Sequence, residues 1–373
     1  MGDKKICILH DTFLYKGGGE RLILMMGKAL RADIASGFFS AGSFDLRKEG
    51  FEGKMISLSS EIYKKGLRHL KLKFAFLFRT KFLRSYDIVL FSGDSISGVR
   101  NCHPDSLKVY YCHTPPRYIY DLHSLYKSKL SGFQKVFFVL GCKIFRFLYE
   151  RDIKKMDIIL TNSKNTQARI QKYLGLSSMV VYPPVERSKF QYIDDKNYFL
   201  SFARLADAKR VDMIVEAFRK LPQEKLIVIY GKNDPQREKI LTLAMGYKQI
   251  ECITLDDNDE LYSYIGNARA TIYIPVEEDF GMSPVESMSA GKPVLGVHEG
   301  GLKESIVHTE TGYLLESDFS VDDIVSAIGY FSPERCRSMK ENCQKQAENF
   351  SLENFEYILH DILEKSYNKK KYT

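Results

Sequence analysis

Short apolar runs alternate with helix-period segments along the whole chain. Residues 5–9, 87–91, 108–112, 157–161 and 179–182 are such runs, dense in Val, Ile, Leu and Tyr and bounded by polar residues. Runs of this length read as strands buried on both faces, the composition of a parallel sheet. Residues 20–30 read as a helix that follows three glycines. Strands alternating with helices predict an α/β fold joined by right-handed crossovers. After Pro183-Pro184 stops regular structure, the polar stretch 186–197 reads as a linker. A second series then begins: strand 198–202, helix 211–221, strands 225–230 and 251–254, helix 260–267 and strand 270–274. We therefore expect two similar α/β halves with a cleft between them, and ligands outside the carboxyl ends of the strands. Residues 1–190 form the first domain and 191–350 the second, and a final helix lies near 352–365.

The candidate chemistry sits at those strand ends. Residues 275–296 read PVEEDFGMSPVESMSAGKPVLG, with Glu278 and Glu286 separated by seven residues. A strand, a loop containing Gly281 and a helix start offer unsatisfied backbone N–H groups and a positive dipole end to an anion. Ionised carboxylates only accept hydrogen bonds, so they suit hydroxyl-rich ligands. The pattern fits phosphate flanked by sugar hydroxyls; on spacing alone, an ordinary turn with two solvated acids fits equally. Residues 201–212, SFARLADAKRVD, place Arg204 and Lys209 five apart at another strand end, where both could reach one phosphate. Gly231 would let backbone approach a nucleotide and Leu255, before Asp256-Asp257, would meet its base; both serve as readily as plain turns. Gly300-Gly301 reads as a turn. In the first half, Gly17, Gly18 and Gly19 permit a tight loop whose N–H groups face the cleft. His113 ends a strand and precedes two prolines; a lone His is more often structural. Arg117 either binds an acceptor phosphate or pairs with an acid.

The E-x7-E spacing followed by Ser289-Ala290-Gly291-Lys292-Pro293-Val294 resembles the signature of family 4 retaining glycosyltransferases. That family has the GT-B fold, two Rossmann-like domains facing each other across a cleft. The resemblance implies a catalytic set of Glu278, His113, Arg204 and Lys209. Glu278 and His113 would lie at the donor sugar, and Arg204 and Lys209 would stabilise the leaving diphosphate. Glu286 would accept hydrogen bonds from the ribose. Phe280, Gly281 and Met282 would line the donor pocket with Gly231 and Leu255, and Gly17, Gly18 and Gly19 would lie beside the phosphates. The family often has Gly where this chain has Asp279. The wording Lys209-Arg210-Val211-Asp212 resembles a subgroup that uses GDP-mannose in surface polysaccharide synthesis, including O-antigen and lipopolysaccharide. Retention by front-face attack on a lipid-linked glycan acceptor is implied by the family. No cofactor beyond the donor substrate is expected, nor a metal, because no D-x-D motif stands where one would be needed. The final helix is expected to cross back to the first domain.

Charge changes the picture in one respect. Residues 1–190 hold 33 Lys and Arg against 16 Asp and Glu, whereas residues 191–373 hold 22 against 31. Segments 61–84 and 132–149 interleave basic residues with Leu and Phe, without the ~18–20 uninterrupted apolar residues of a membrane span. They suit an anionic membrane interface, or their apolar faces belong to the core. No nucleic-acid module is recognisable. Seven scattered Cys with no C-x-x-C pair argue against a disulfide framework and fit a reducing compartment. The expected location is cytoplasmic, peripheral at the inner face of the cell membrane. Two other readings stay open: a sugar-nucleotide epimerase of the same fold, and a non-catalytic membrane-surface binder.

Overall fold

The computed structural model describes residues 4–61, 65–255 and 257–372. It divides into two compact units, Met1–Tyr182 with Glu356–Thr373, and Pro183–Phe355.

In the first unit the apolar runs become β1 (Ile6–His10), β4 (Ile88–Ser92), β5 (Leu107–Cys112), β6 (Ile158–Thr161) and β7 (Met179–Val180). Two further strands, β2 (Asp33–Ser36) and β3 (Met55–Ser57), escaped the pattern analysis. They are four and three residues long: β3 is the edge strand and has no buried residue, while β2 buries Ile34, Ala35 and Ser36 but is too short to stand out as an apolar run. The order is β3-β2-β1-β4-β5-β6-β7, all parallel. The chain winds outward from β1 in one direction and then from β4 in the other. Between these two strands lies a switch point, the place where doubly wound sheets bind ligands. Helix Gly18–Ala29 covers one face with Leu22, Ile23 and Met26. The last helix, Leu352–Lys371, runs six residues past its expected end. His360 Nε2 lies 3.0 Å from the Ala29 carbonyl oxygen, and Lys370 pairs with Asp157 at 2.5 Å.

The second unit carries β8 (Tyr198–Ser201), β9 (Lys225–Ile229), β10 (Ile250–Ile253), β11 (Ala270–Ile272), β12 (Val294–Val297) and β13 (Gly312–Leu315). Their order is β10-β9-β8-β11-β12-β13, again all parallel, with a switch point between β8 and β11. Residues 183–190 were expected in the first domain, but they belong to this unit. The Val185 N–H donates to the Phe350 carbonyl at 2.9 Å. Phe190 is buried edge-on to Tyr262, and the Ile193 N–H bonds the Gly266 carbonyl at 2.9 Å. A stretch that reads as polar linker is thus tied down by backbone bonds and one aromatic.

Segment 61–84 contains helix Lys65–Phe78. Its Leu72, Ala75 and Phe76 enter the core, while Leu70, Phe74 and Phe78 stay exposed. Residues 62–64 lie outside the described residues. Segment 132–149 begins helix Gly132–Ile153, which buries only Cys142, Tyr149, Asp152 and Ile153. Phe133, Val136, Phe137, Leu140, Ile144 and Phe147 remain exposed, Phe133 at 85%. Core packing therefore accounts for only part of either apolar face. No helix among the described residues is long and apolar enough to cross a membrane.

Candidate functional site

In the second unit, pairing β8 with β11 brings together strand ends about 70 positions apart in sequence. Lys209 Nζ donates to Glu278 Oε2 at 2.6 Å and to the Tyr273 hydroxyl at 2.8 Å. The two charged side chains are 22% and 24% exposed, so water reaches the pair without surrounding it. Burial, reinforced by the Glu278 charge, pushes the Tyr273 phenol well above its usual range. Tyr273 thus stays a neutral hydroxyl beside the ion pair. Arg204 has a different partner, with Nε 3.7 Å from Asp234 Oδ1. Asp234 Oδ2 also accepts the backbone N–H groups of Leu205 at 2.8 Å and Gly231 at 3.0 Å. One carboxylate therefore ties Arg204 to the Gly231 loop.

Gly281 caps helix Met282–Ser289 with φ of +84°, a conformation that favours glycine. A Cβ there would also lie 3.1 Å from Leu302 Cδ1 and 3.2 Å from Tyr273 Cε1. The Phe280 side chain is buried against Phe350, so it anchors the loop. What this position can offer a ligand is backbone. Glu286 is buried at 9% exposure, and its helix is fastened to β11 by a 2.8 Å bond from Thr271 Oγ1 to Ser287 Oγ. Met282, Asp279 and Leu255 are half-buried. Asp256 lies outside the described residues; Asp257 caps the following helix by accepting the Asp259 N–H.

In the first unit, the switch point holds a hydrogen-bonded chain. His113 Nε2 lies 2.8 Å from Ser92 Oγ, which lies 3.1 Å from His10 Nδ1. His10 Nε2 in turn lies 3.1 Å from Asp11 Oδ1. With Asp11 ionised, one polarity satisfies every contact. His10 donates to Asp11 and accepts the Ser92 hydroxyl, and Ser92 accepts the His113 Nε2–H. The chain thereby leaves Nδ1 as the acceptor of the His113 ring. Burial, with His10 beside it, pushes His113 down to about 4, and burial pushes His10 down to about 3. Both rings are neutral at pH 7. Burial and then the Asp94 charge push Asp11 up to about 6.

The glycine loop meets this chain, since a Cβ at Gly19 would lie 3.9 Å from His113 Cε1. Gly17 caps helix Gly18–Ala29, and a Cβ there would lie 2.5 Å from Glu20 Oε2. Glu20 thus folds its carboxylate over the loop expected to face an anion. Burial pushes it up to about 7, opposed by hydrogen bonds from the backbone of Glu20, Tyr15 and Gly17. A phosphate placed on this loop would displace this carboxylate or meet it protonated. Arg117 pairs with Asp121 at 2.8 Å, the acid-pairing alternative of the two expected for it.

Sequence reasoning missed Tyr273, Asp234, Ser92, His10 and Asp11, all at strand ends or in the loops that follow them. Position relative to the switch points was the available signal. It also took Gly300-Gly301 for a turn alone, although the Gly301 N–H bonds the Glu278 carbonyl at 2.8 Å.

Comparison with known proteins agrees with this architecture. Residues 184–350 match the family described as Glycosyl transferases group 1. The alpha-1,3/1,6-mannosyltransferase ALG2 of Dictyostelium discoideum is 24% identical across 96% of this chain and 98% of its own. A GDP-Man:Man(3)GlcNAc(2)-PP-Dol alpha-1,2-mannosyltransferase of Mus musculus is 26% identical across 66% of this chain and 58% of its own. Among solved structures, the sucrose-phosphate synthase of Thermosynechococcus elongatus has a TM-score of 0.79 at 16% identity, covering 98% of this chain and 100% of its own. WaaG, a glycosyltransferase involved in lipopolysaccharide biosynthesis, has a TM-score of 0.70 at 13% identity, covering 96% and 99%. At those identities the structures speak for the fold alone. Two parallel doubly wound sheets give the chain the GT-B fold that these solved glycosyltransferases share, and its residues 184–350 carry the match to the glycosyl transferases group 1 family.

Proposed function

We propose that the chain transfers mannose from GDP-mannose to a lipid-linked glycan, with retention at the anomeric carbon and without a metal ion. The observation that carries this reading is the Lys209–Glu278 contact at the β8/β11 switch point. A cation and a carboxylate meet there beside the helix start at Gly281. In the proposed reaction the bond from the anomeric carbon to the diphosphate oxygen breaks. The acceptor oxygen bonds to the same carbon from the same face, and its proton passes to the departing phosphate. Lys209, Arg204 and the helix start offset the charge that develops on the diphosphate. Glu278 stabilises positive character at the anomeric carbon, and Glu286 accepts ribose hydroxyls. His113, held neutral, offers its Nδ1 to a sugar hydroxyl.

The donor choice is supported by the Lys209–Asp212 wording and by the mouse relative, whose name gives GDP-Man as donor and a PP-Dol glycan as acceptor. A setting in surface polysaccharide synthesis rests on the same wording. The exposed Phe residues of helix Gly132–Ile153, with Lys135, Lys143 and Arg146 on the same helix, support peripheral binding to an anionic membrane. Placing it at the cytoplasmic face rests on the seven scattered Cys.

Thermal-shift measurement with GDP-, UDP- and ADP-sugars tests the donor. GDP-mannose should raise the unfolding midpoint above the other sugar nucleotides; no shift with any of them sinks the nucleotide site.

A further inference from the structure

Lys209 and Glu278 are presented by two turns, and both turns adopt backbone conformations that ordinary residues avoid. Arg210, directly after Lys209, has φ of +51°. Glu277, directly before Glu278, has φ of +45°. Neither is glycine, so something outside each turn has to hold it. One side chain touches both. Glu299 Oε1 accepts from Arg210 Nη1 at 3.1 Å and Nη2 at 3.0 Å, while its Oε2 accepts the Glu277 N–H at 2.9 Å. The Glu299 side chain is 7% exposed. A carboxylate so placed resists leaving its partners, because water does not replace them cheaply.

The surroundings reinforce the link. The Val276 N–H donates to the Ala208 carbonyl at 2.8 Å, a second tie between the two turns. Gly300, with φ of +53°, lies against the Glu278 backbone, and a Cβ there would come within 2.3 Å of the Glu278 carbonyl oxygen. The Arg210 guanidinium sits 5.0 Å from the centroid of the Phe319 ring, which limits its other orientations.

We infer that Glu299 is a positioning residue: its single carboxylate braces the Lys209 and Glu278 turns against each other and so sets the geometry of that pair. The inference rests on the proposed donor-site role of Lys209 and Glu278. It also assigns a role to Arg210, which carries the Lys209 side of the brace. A simple structural ion pair would hold the unit together without changing what happens at Glu278.

Glu299→Gln separates the two, because it keeps the volume but places an amide NH2 against Arg210 or the Glu277 N–H. Amide hydrogen exchange without ligand should quicken about tenfold in segments 207–212 and 275–283, leaving β9 unchanged. Turnover is then read as GDP release from GDP-mannose. For Glu299→Gln, kcat should fall about 10- to 100-fold with KM within about threefold. In a Glu278→Gln background the same substitution should add less than about twofold, since it acts through Glu278. Unchanged exchange overturns the brace, whatever the turnover. Equal losses in both backgrounds overturn the positioning role. Parent-like turnover by both Glu278→Gln and Lys209→Ala overturns the underlying reading of the pair, a result distinct from either of the others.

Discussion

Lys209→Ala tests the proposed chemistry at its centre. The substitution removes the 2.6 Å partner of Glu278 and the 2.8 Å donor to Tyr273. Two effects follow, and they differ in size. Stability loses a pair whose side chains are 22% and 24% exposed. That places the loss between about 0–1 kcal/mol for a surface pair and about 3–5 kcal/mol for breaking a buried one, so roughly 1–3 kcal/mol. Glu278 also keeps Glu277 and Asp279 as chain neighbours, and like charges there push toward the upper end. Spread over a unit of this size, the unfolding midpoint should fall by roughly 2–10 °C. Catalysis loses one preorganised charge at the departing diphosphate, which typically lowers kcat by about 10²–10³. Lys209→Arg should recover much of the stability and less of the rate, because a planar fork does not replace a compact ammonium. The assay is initial-rate GDP release from GDP-mannose, with circular dichroism to confirm folding. A folded Lys209→Ala protein whose kcat stays within about threefold of the parent would refute the diphosphate role, since even the smallest effect expected is far larger.

Two further outcomes follow from the first unit. Asp11 and Glu20 are raised to about 6 and about 7, so their stabilising contribution is present below their ordinary values of 3.8 and 4.5 and is lost as pH rises through 6 and 7. His10 and His113 are depressed, so theirs is present above 6.5 and lost as pH falls toward 4 and 3. Glu20→Gln should therefore reduce the drop in unfolding midpoint between pH 5 and pH 8, and identical pH curves for parent and variant would contradict the burial of that carboxylate. The pair Phe133→Ser and Phe137→Ser, both on exposed positions, should leave the midpoint nearly unchanged and weaken flotation with vesicles of phosphatidylglycerol and phosphatidylcholine. Equal flotation of parent and variant, or of either with phosphatidylcholine alone, counts against the membrane surface.

Much of the architecture was legible along the chain. Apolar runs such as those at β1, β4 and β5 are buried on both faces, and burial on both faces leaves a continuous signature that needs no knowledge of neighbours. The glycine at 281 announced its loop because only glycine adopts that φ without strain. Strands as short as β2, β3 and β13 left no comparable mark, since three or four residues with one or two large apolar side chains do not stand out as a run. Residues 186–197, read as linker, and Val185 just before them misled for a related reason. Their polar side chains described the surface they face, while the backbone bonds that tie them to Phe350 and Gly266 have no compositional trace.

The candidate site divides along the same line. Which residue types stand near strand ends, and how Glu278 and Glu286 are spaced, are properties of the linear chain. Partnership is not. The chain places Lys209 and Arg204 five apart, but only the fold gives Lys209 its bonds to Glu278 and Tyr273 and sets Arg204 Nε 3.7 Å from Asp234. Ser92 joins His10 to His113 although the three come from separate strand ends. Glu299 meets Glu277 across 22 positions and Arg210 across 89. Strand order decides each of these contacts, and strand order depends on which helix faces pack on which sheet face. The linear pattern supplied the chemical groups and the local turns; the winding of two parallel sheets around their switch points chose which groups meet.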